Sequence, residues 1–262
     1  MSFAEFVAVL LAGTAAGAIN AVVGSGSLIT FPTLVALGWP PLVANVSNNI
    51  GLVPGSFSSV HGYRRELSGQ RARLMRLVPA SAIGSLVGAV LLLTLPSDVF
   101  DRVVIVLIAV ALVLVASQPF IARRLTTRRS AAEATALEGG RVAAPTGEIG
   151  PVLVVLVAAA GVYGGYFGAA QGIILVATLG IFVADGLQRL NACKNVLAAT
   201  VNTVAAVVFI ATTEVDWAVV AAIAVGSTIG GQVGSRYGRR LDPRWLRALI
   251  VVVGLSALVR LL

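Results

Sequence analysis

Long apolar runs alternate with short polar interruptions along the whole chain, and the lengths of the runs carry the first inference. Runs near 3–24, 44–62, 76–95, 102–121, 150–168, 191–211, 217–235 and 247–262 approach the roughly 20 helical residues that cross a hydrocarbon core of about 30 Å. Two further runs, 27–38 and 172–184, are too short to cross upright at about 1.5 Å per residue. They are predicted as half-helices or short tilted helices. The pattern therefore predicts an all-α integral membrane protein of ten helical segments, five in each half.

The pattern also occurs twice. Residues 17–37 read GAINAVVGSGSLITFPTLVAL and residues 161–179 read GVYGGYFGAAQGIILVATL. In both, a glycine is followed seven residues later by another, then by a small or polar cluster and a short apolar run. Farther along, Asn45 and Asn191, Asn49 and Asn195, Gly84 and Gly230, and Gly88 and Gly234 keep a spacing of 146. A duplicated membrane unit is the usual architecture of a secondary transporter. The division expected is an N-terminal repeat at 1–121, a linker at 122–149 and a C-terminal repeat at 150–262.

Composition rules out an ordinary soluble domain: 58% of the residues are hydrophobic and 11% charged, where soluble domains carry about 25% charge. The net charge of +8 is no sign of nucleic acid, because 15 of the 19 basic residues lie in three segments, 64–76, 123–141 and 236–247. Clustered arginine in short loops marks the cytoplasmic side. The loops carrying Asp98 and Asp101, and Glu214 and Asp216, then lie outside, as do both termini. Helix 44–62 runs inward while its counterpart 191–211 runs outward, so the repeats are inverted. The start MSFAEFVAVLLAG lacks a basic leader and reads as a retained membrane segment. The Ala-, Gly- and Thr-rich stretch 122–149 reads as a mobile cytoplasmic linker. The single cysteine, Cys193, permits no internal disulfide.

The candidate chemistry sits at the interruptions. Gly24, Ser25, Gly26 and Ser27 break the first apolar stretch; glycine allows positive φ, and a helix restarting at Ser27 would aim free N–H groups and a partial positive charge at the break. Gly168, Ala169, Ala170, Gln171 and Gly172 repeat the device. Two opposed helix N-termini near mid-membrane would suit a small anion. The competing reading is that such glycines only permit close packing, and this is the reading for Gly13, Gly17, Gly84, Gly88, Gly230 and Gly234. Lys194 is the one lysine. It stands in an apolar helix among Asn191, Cys193 and Asn195, with Asn202 two turns on, and a cation inside a span is a functional candidate because it costs about 2.5–3.5 kcal/mol to place there. Against this, it could sit at the interface with its stem in lipid. Asn48 and Asn49 hold the equivalent place in the first half. Asn20 and Tyr163 could each donate to an anion or bond a neighbouring helix. His61, beside the Arg-rich loop, reads as interfacial, although its titration range suits proton coupling. One histidine and one cysteine give no metal-ligand spacing, and carboxylates are nearly absent from the spans. That favours an anion over a metal cation as cargo, with no cofactor.

The run AGAINAVVGSGSLITFPTLVALGWPPLVANVSNN, its counterpart GVYGGYFGAAQGIILVATLG and the later LNACKN resemble the sulfite exporter TauE/SafE family. The resemblance covers nearly everything but 122–149. It implies transport of sulfite, sulfonates or sulfoacetate across the bacterial inner membrane by alternating access. Ser25 and Ser27 interrupt what is often a longer glycine run in that family, Ala169 and Ala170 replace Gly and Pro, and Asn49 stands where a lysine is frequent. One positive charge fewer implies a less highly charged anion. The residues expected at the substrate are Asn20, Gly24, Ser25, Gly26, Ser27, Asn48, Asn49, Tyr163, Gln171, Gly172, Lys194, Asn195 and Asn202. An anion channel, or an intramembrane serine hydrolase built on the GSGS segment and His61, are the rival classes. Partners are the anion and membrane lipid; a homodimer and a coupled proton or other ion are left open.

Overall fold

The computed structural model describes residues 1–137 and 149–238, together with 248, 250–255 and 258. Among them the secondary structure is helical: α1 Phe3–Val22, α2 Ser27–Ala36, α3 Pro41–Gly62, α4 Arg71–Thr94, α5 Ser97–Leu137, α6 Pro151–Tyr166, α7 Gln171–Phe182, α8 Leu187–Thr212 and α9 Trp217–Tyr237. Among the described residues, five stretches are long and apolar enough to cross a membrane, namely α1, α4, residues 102–120 of α5, α8 and α9. The half-helices expected at 27–38 and 172–184 are α2 and α7. The helix expected at 247–262 lies largely outside the described residues, as does 138–148 of the expected linker. Residues 122–137 of the expected linker continue α5 as helix; the alanines, arginines and leucines there are strong helix formers.

Missing side chains set the packing. A Cβ on Gly230 would lie 2.0 Å from the Thr14 carbonyl oxygen, and one on Gly234 would lie 2.4 Å from that of Ala18. In the other half, a Cβ on Gly84 would lie 2.1 Å from the Ala158 oxygen and one on Gly88 2.0 Å from the Val162 oxygen. Small residues let membrane helices approach this closely, and dispersion between the backbones then holds them. The order of the contacts gives direction. Along α1 and α9 both numbers rise together, as they do along α4 and α6. Gly51, Gly55 and Gly62 of α3 meet Ile223, Ser227 and Ser235 of α9, also in parallel. Ser81 and Ser85 of α4 donate to Leu197 and Val201 of α8 at 3.3 and 2.7 Å. By contrast, Ser56 of α3 meets Asn202 of α8, while the carbonyls of Glu66 and Ser68, beyond the end of α3, meet Arg189 near the start of α8. Helices α1, α3 and α9 thus run one way, and α4, α6 and α8 the other.

The hydrogen bond from Ser227 to the Gly51 carbonyl, 3.0 Å, matches that from Ser81 to Leu197 at a spacing of 146 in both partners. Along α1 and α6 the matching spacing is 144, since Gly230 meets Thr14 and Gly234 meets Ala18 as Gly84 meets Ala158 and Gly88 meets Val162. The two-residue difference is taken up in α7, which has 12 residues to the 10 of α2.

Candidate functional site

The two interruptions meet back to back. Gly24 and Gly168 have φ of +85° and +75°, a region glycine enters without the Cβ penalty, and each follows a helix end that bonds to the carbonyl five residues earlier, Ile19 and Tyr163. The Gly172 N–H then donates to the Gly24 carbonyl at 3.0 Å. A Cβ on either glycine would lie within 2.5 Å of the other's backbone, so the contact of the two breaks requires both to be glycine.

Beside this contact is a small cavity with about 30 Å³ of free space, lined from both halves. Matching positions of both halves line it: Gly24 and Gly168, Ser27 and Gln171 at the first turns of α2 and α7, and Ser56 and Asn202 on α3 and α8. Asn202 Nδ2 donates to Ser56 Oγ at 3.1 Å. Asn20, Ser59, Gly172, Lys194, Asn195 and Ala198 complete the wall.

Lys194 is fully buried. Its Nζ donates to the carbonyls of Asn20 and Ala21 at 2.8 and 3.4 Å, at the C-terminal end of α1 where carbonyls lack helical partners and the helix dipole is negative. The ion pairs among the described residues do not include it. Asn195 Nδ2 donates to the Ala21 carbonyl at 3.3 Å, and Asn20 Oδ1 accepts from the Gly26 N–H at 2.6 Å. Gln171 is 3% exposed, and its Nε2 has no hydrogen-bond partner among the described residues. An amide donor left unpaired inside protein costs about 1–3 kcal/mol. The cavity therefore presents a cation, an unpaired amide donor and the first turns of two helices, and no carboxylate among the described lining residues. That donor set suits an oxyanion.

Of the thirteen residues expected at the substrate, Asn20, Gly24, Ser27, Gln171, Gly172, Lys194, Asn195 and Asn202 converge here. The other five do not line the cavity. Ser25 is buried with an unpartnered hydroxyl, and Asn49 with an unpartnered carbonyl oxygen. Gly26 packs on the Ala16 carbonyl, Asn48 accepts from Thr30, and Tyr163 donates its hydroxyl to the Ala169 carbonyl. Ser56, Ser59, Gly168 and Ala198 were not expected. Ser56 was within reach, standing 146 residues before Asn202, and so was Gly168, the repeat of Gly24. His61 is exposed at the end of α3, away from the cavity.

Polar contacts join the helices at the two ends of the bundle. Where α4 and α8 begin, Asp185 accepts from Arg73 at 3.0 Å and from Arg189 at 2.7 Å; Arg73 also donates to Gln70, whose Nε2 donates to the Arg189 carbonyl at 2.9 Å. Burial alone would raise the Asp185 carboxyl pKa, but the Arg73 hydrogen bond, the Gly186 N–H and the charges of Arg189 and Arg73 outweigh it and hold it below its ordinary value. Where α3 and α9 begin, Trp39 Nε1 donates to Asp216 at 2.8 Å.

The model of one family, described as sulfite exporter TauE/SafE, matches residues 9–261. The chain belongs to the TauE/SafE family. This TauE/SafE protein is 26% identical to a probable membrane transporter protein, ORF9, of Sinorhizobium sp, over all of its own length and 94% of the relative's. It is 27% identical to the probable membrane transporter protein YfcA of Escherichia coli K12, over 98% of this chain and 87% of that one. A probable membrane transporter protein of Haemophilus influenzae is 21% identical over 92% of this chain and 88% of its own. No solved structure matches. The TauE/SafE protein is thus a multi-pass membrane transporter rather than an enzyme.

Proposed function

We propose that this transporter carries a small oxyanion of the sulfite or sulfonate type across the bacterial inner membrane by alternating access, around the cavity at the meeting of the two breaks. The buried Lys194 ammonium carries this reading: a cation held only by backbone carbonyls, beside an unpaired amide donor at mid-bundle, is expensive unless an anion visits it. The family's description supplies the sulfur. The halves are read as inverted repeats because the matched helices α1 and α6, α3 and α8, and α4 and α9 run in opposite directions. Inverted repeats that rock against each other around a fixed midplane site are the usual route to alternating access. Arg64 and Arg65 line one pocket with Arg236, so arginines from two separate segments gather at one end. That end is read as cytoplasmic, and the N-terminus as periplasmic.

The polar contacts at both ends of the bundle, and a cavity with room for about one water, are read as a narrow stage of the carrier's cycle. The test is counterflow in sealed liposomes: labelled sulfite exchanging against excess internal sulfite or methanesulfonate. The carrier predicts saturable exchange that Lys194→Met abolishes at unchanged yield of folded protein. Flux that does not saturate and shows no counterflow identifies a pore, and wild-type exchange by the variant removes Lys194 from the site.

A further inference from the structure

Duplication should give two equivalent sites, yet the cavity is lopsided. Part of its lining is symmetric, with Gly24 and Gly168, Ser27 and Gln171, and Ser56 and Asn202 contributed in matching pairs. Elsewhere the two sides differ. On one side the space is bounded by Asn20 of α1, Ser59 of α3, and Lys194 and Ala198 of α8. At the matching positions of the other side stand Gly164, Ala205, Asn48 and Leu52. Leu52 and Ala205 are buried within the apolar core, as is Leu28, which matches Gly172. Asn48 is spent on Thr30. Where one side has a lysine lining the cavity, the other has a neutral amide bonded to Thr30 and leucines within the apolar core. The fold thus holds one half of a potential double site open and fills the other.

Charge follows from this. Lys194 is the one charged side chain in the described lining. The α1 carbonyls that hold it withdraw part of its field, and the first turns of α2 and α7 return part. A single negative charge is balanced. A second would stand in the membrane interior with no partner, where an unpaired charge is costly enough to cut affinity more than tenfold.

We infer that the site takes one singly charged oxyanion head per cycle and discriminates against doubly charged oxyanions of the same shape. This rests on the anion-carrier reading and narrows it. It also makes the loaded carrier electroneutral across the step that moves the site.

Methanesulfonate and sulfate are the matched probes, both tetrahedral about sulfur, one singly and one doubly charged. With wild-type protein in liposomes exchanging labelled sulfite, external methanesulfonate should compete at least tenfold more strongly than sulfate. Exchange of labelled methanesulfonate should keep its rate when a potassium gradient with valinomycin imposes a membrane potential. Asn202→Lys, which adds a second cation to the same cavity, should bring sulfate up relative to methanesulfonate by a similar factor. Equal competition by the two probes, or exchange that follows the imposed potential, overturns the inference and leaves the carrier standing. Competition by neither removes the carrier reading and this inference with it. The wild-type comparison decides the matter even where Asn202→Lys fails to fold.

Discussion

At the two ends of this protein, matching positions make polar contacts of different chemistry. Trp39 and Asp185 follow α2 and α7 at a spacing of 146, and Gln70 and Asp216 hold the N-cap positions of α4 and α9 at the same spacing. At one end a neutral indole donates one hydrogen bond to Asp216, whose other oxygen caps α9 through the Ala218 and Val219 N–H groups at 3.0 and 3.1 Å. At the other, Asp185 sits between two guanidiniums, and a glutamine ties the same network to α8. The duplicated fold has kept where these contacts form and changed what forms them. Under the proposed alternating access, the two would act as closures that answer to different conditions: ionic strength and acid at the arginine end, indole removal at the tryptophan end.

The largest effect tests what the halves share rather than where they differ. Gly172→Leu or Gly24→Leu drives a side chain into the facing break, with the first atom already 2.4–2.5 Å from backbone. Overpacking of this kind costs about 1–3 kcal/mol and often more, and thermal melting of the purified protein should fall for both alike. A benign result at either glycine would mean the breaks do not meet. Next comes Asp185→Asn, which leaves two guanidiniums facing each other. Because the pair is partly exposed, with Arg189 38% accessible, the loss should be only about 1–2 kcal/mol. Side-specific labelling of an introduced thiol should rise from the arginine end only.

Trp39→Phe removes one hydrogen bond to a carboxylate, about 1 kcal/mol by ordinary values, and leaves the α9 cap intact. Its labelling should rise from the opposite end. If either variant opens both ends, the closures are not independent.

Acid should give the smallest change near neutrality. Asp185 and Asp216 both have pKa values held below the ordinary 3.8. For Asp216, burial again pushes upward, and is outweighed by the Trp39 hydrogen bond and the α9 N–H groups. A depressed folded pKa adds stability above the unfolded value, lost as pH falls through the folded one. Both closures should therefore hold from pH 8 down to about 4 and weaken below it. Melting curves across that range would show whether any pH dependence of transport near neutrality arises elsewhere.

Much of this was legible in the sequence because repetition constrains it. The breaks at 24–27 and 168–172 were readable as glycine clusters that recur, and Lys194 as the one lysine in an apolar helix. Facing was less legible. A polar residue in a membrane helix can line a cavity or bond its neighbour, and identity does not decide which. Asn48 turned to Thr30 and Tyr163 to the Ala169 carbonyl, whereas Ser56, one face round α3, reached the cavity. Symmetry alone would have found it through Asn202. The same symmetry would have misled at Asn48, because its bond to Thr30 and the burial of Leu52 in the apolar core appear only in three dimensions.

The proposed anion position is beside Lys194 and Gln171 in the cavity. The most direct measurement is a structure of the protein with selenite, located by anomalous scattering. The account predicts one selenium within hydrogen-bond reach of Lys194 Nζ and the Gln171 side-chain amide, absent in Lys194→Met. A selenium bound among the arginines at 64–76, or behind Leu52 and Leu28, would contradict it.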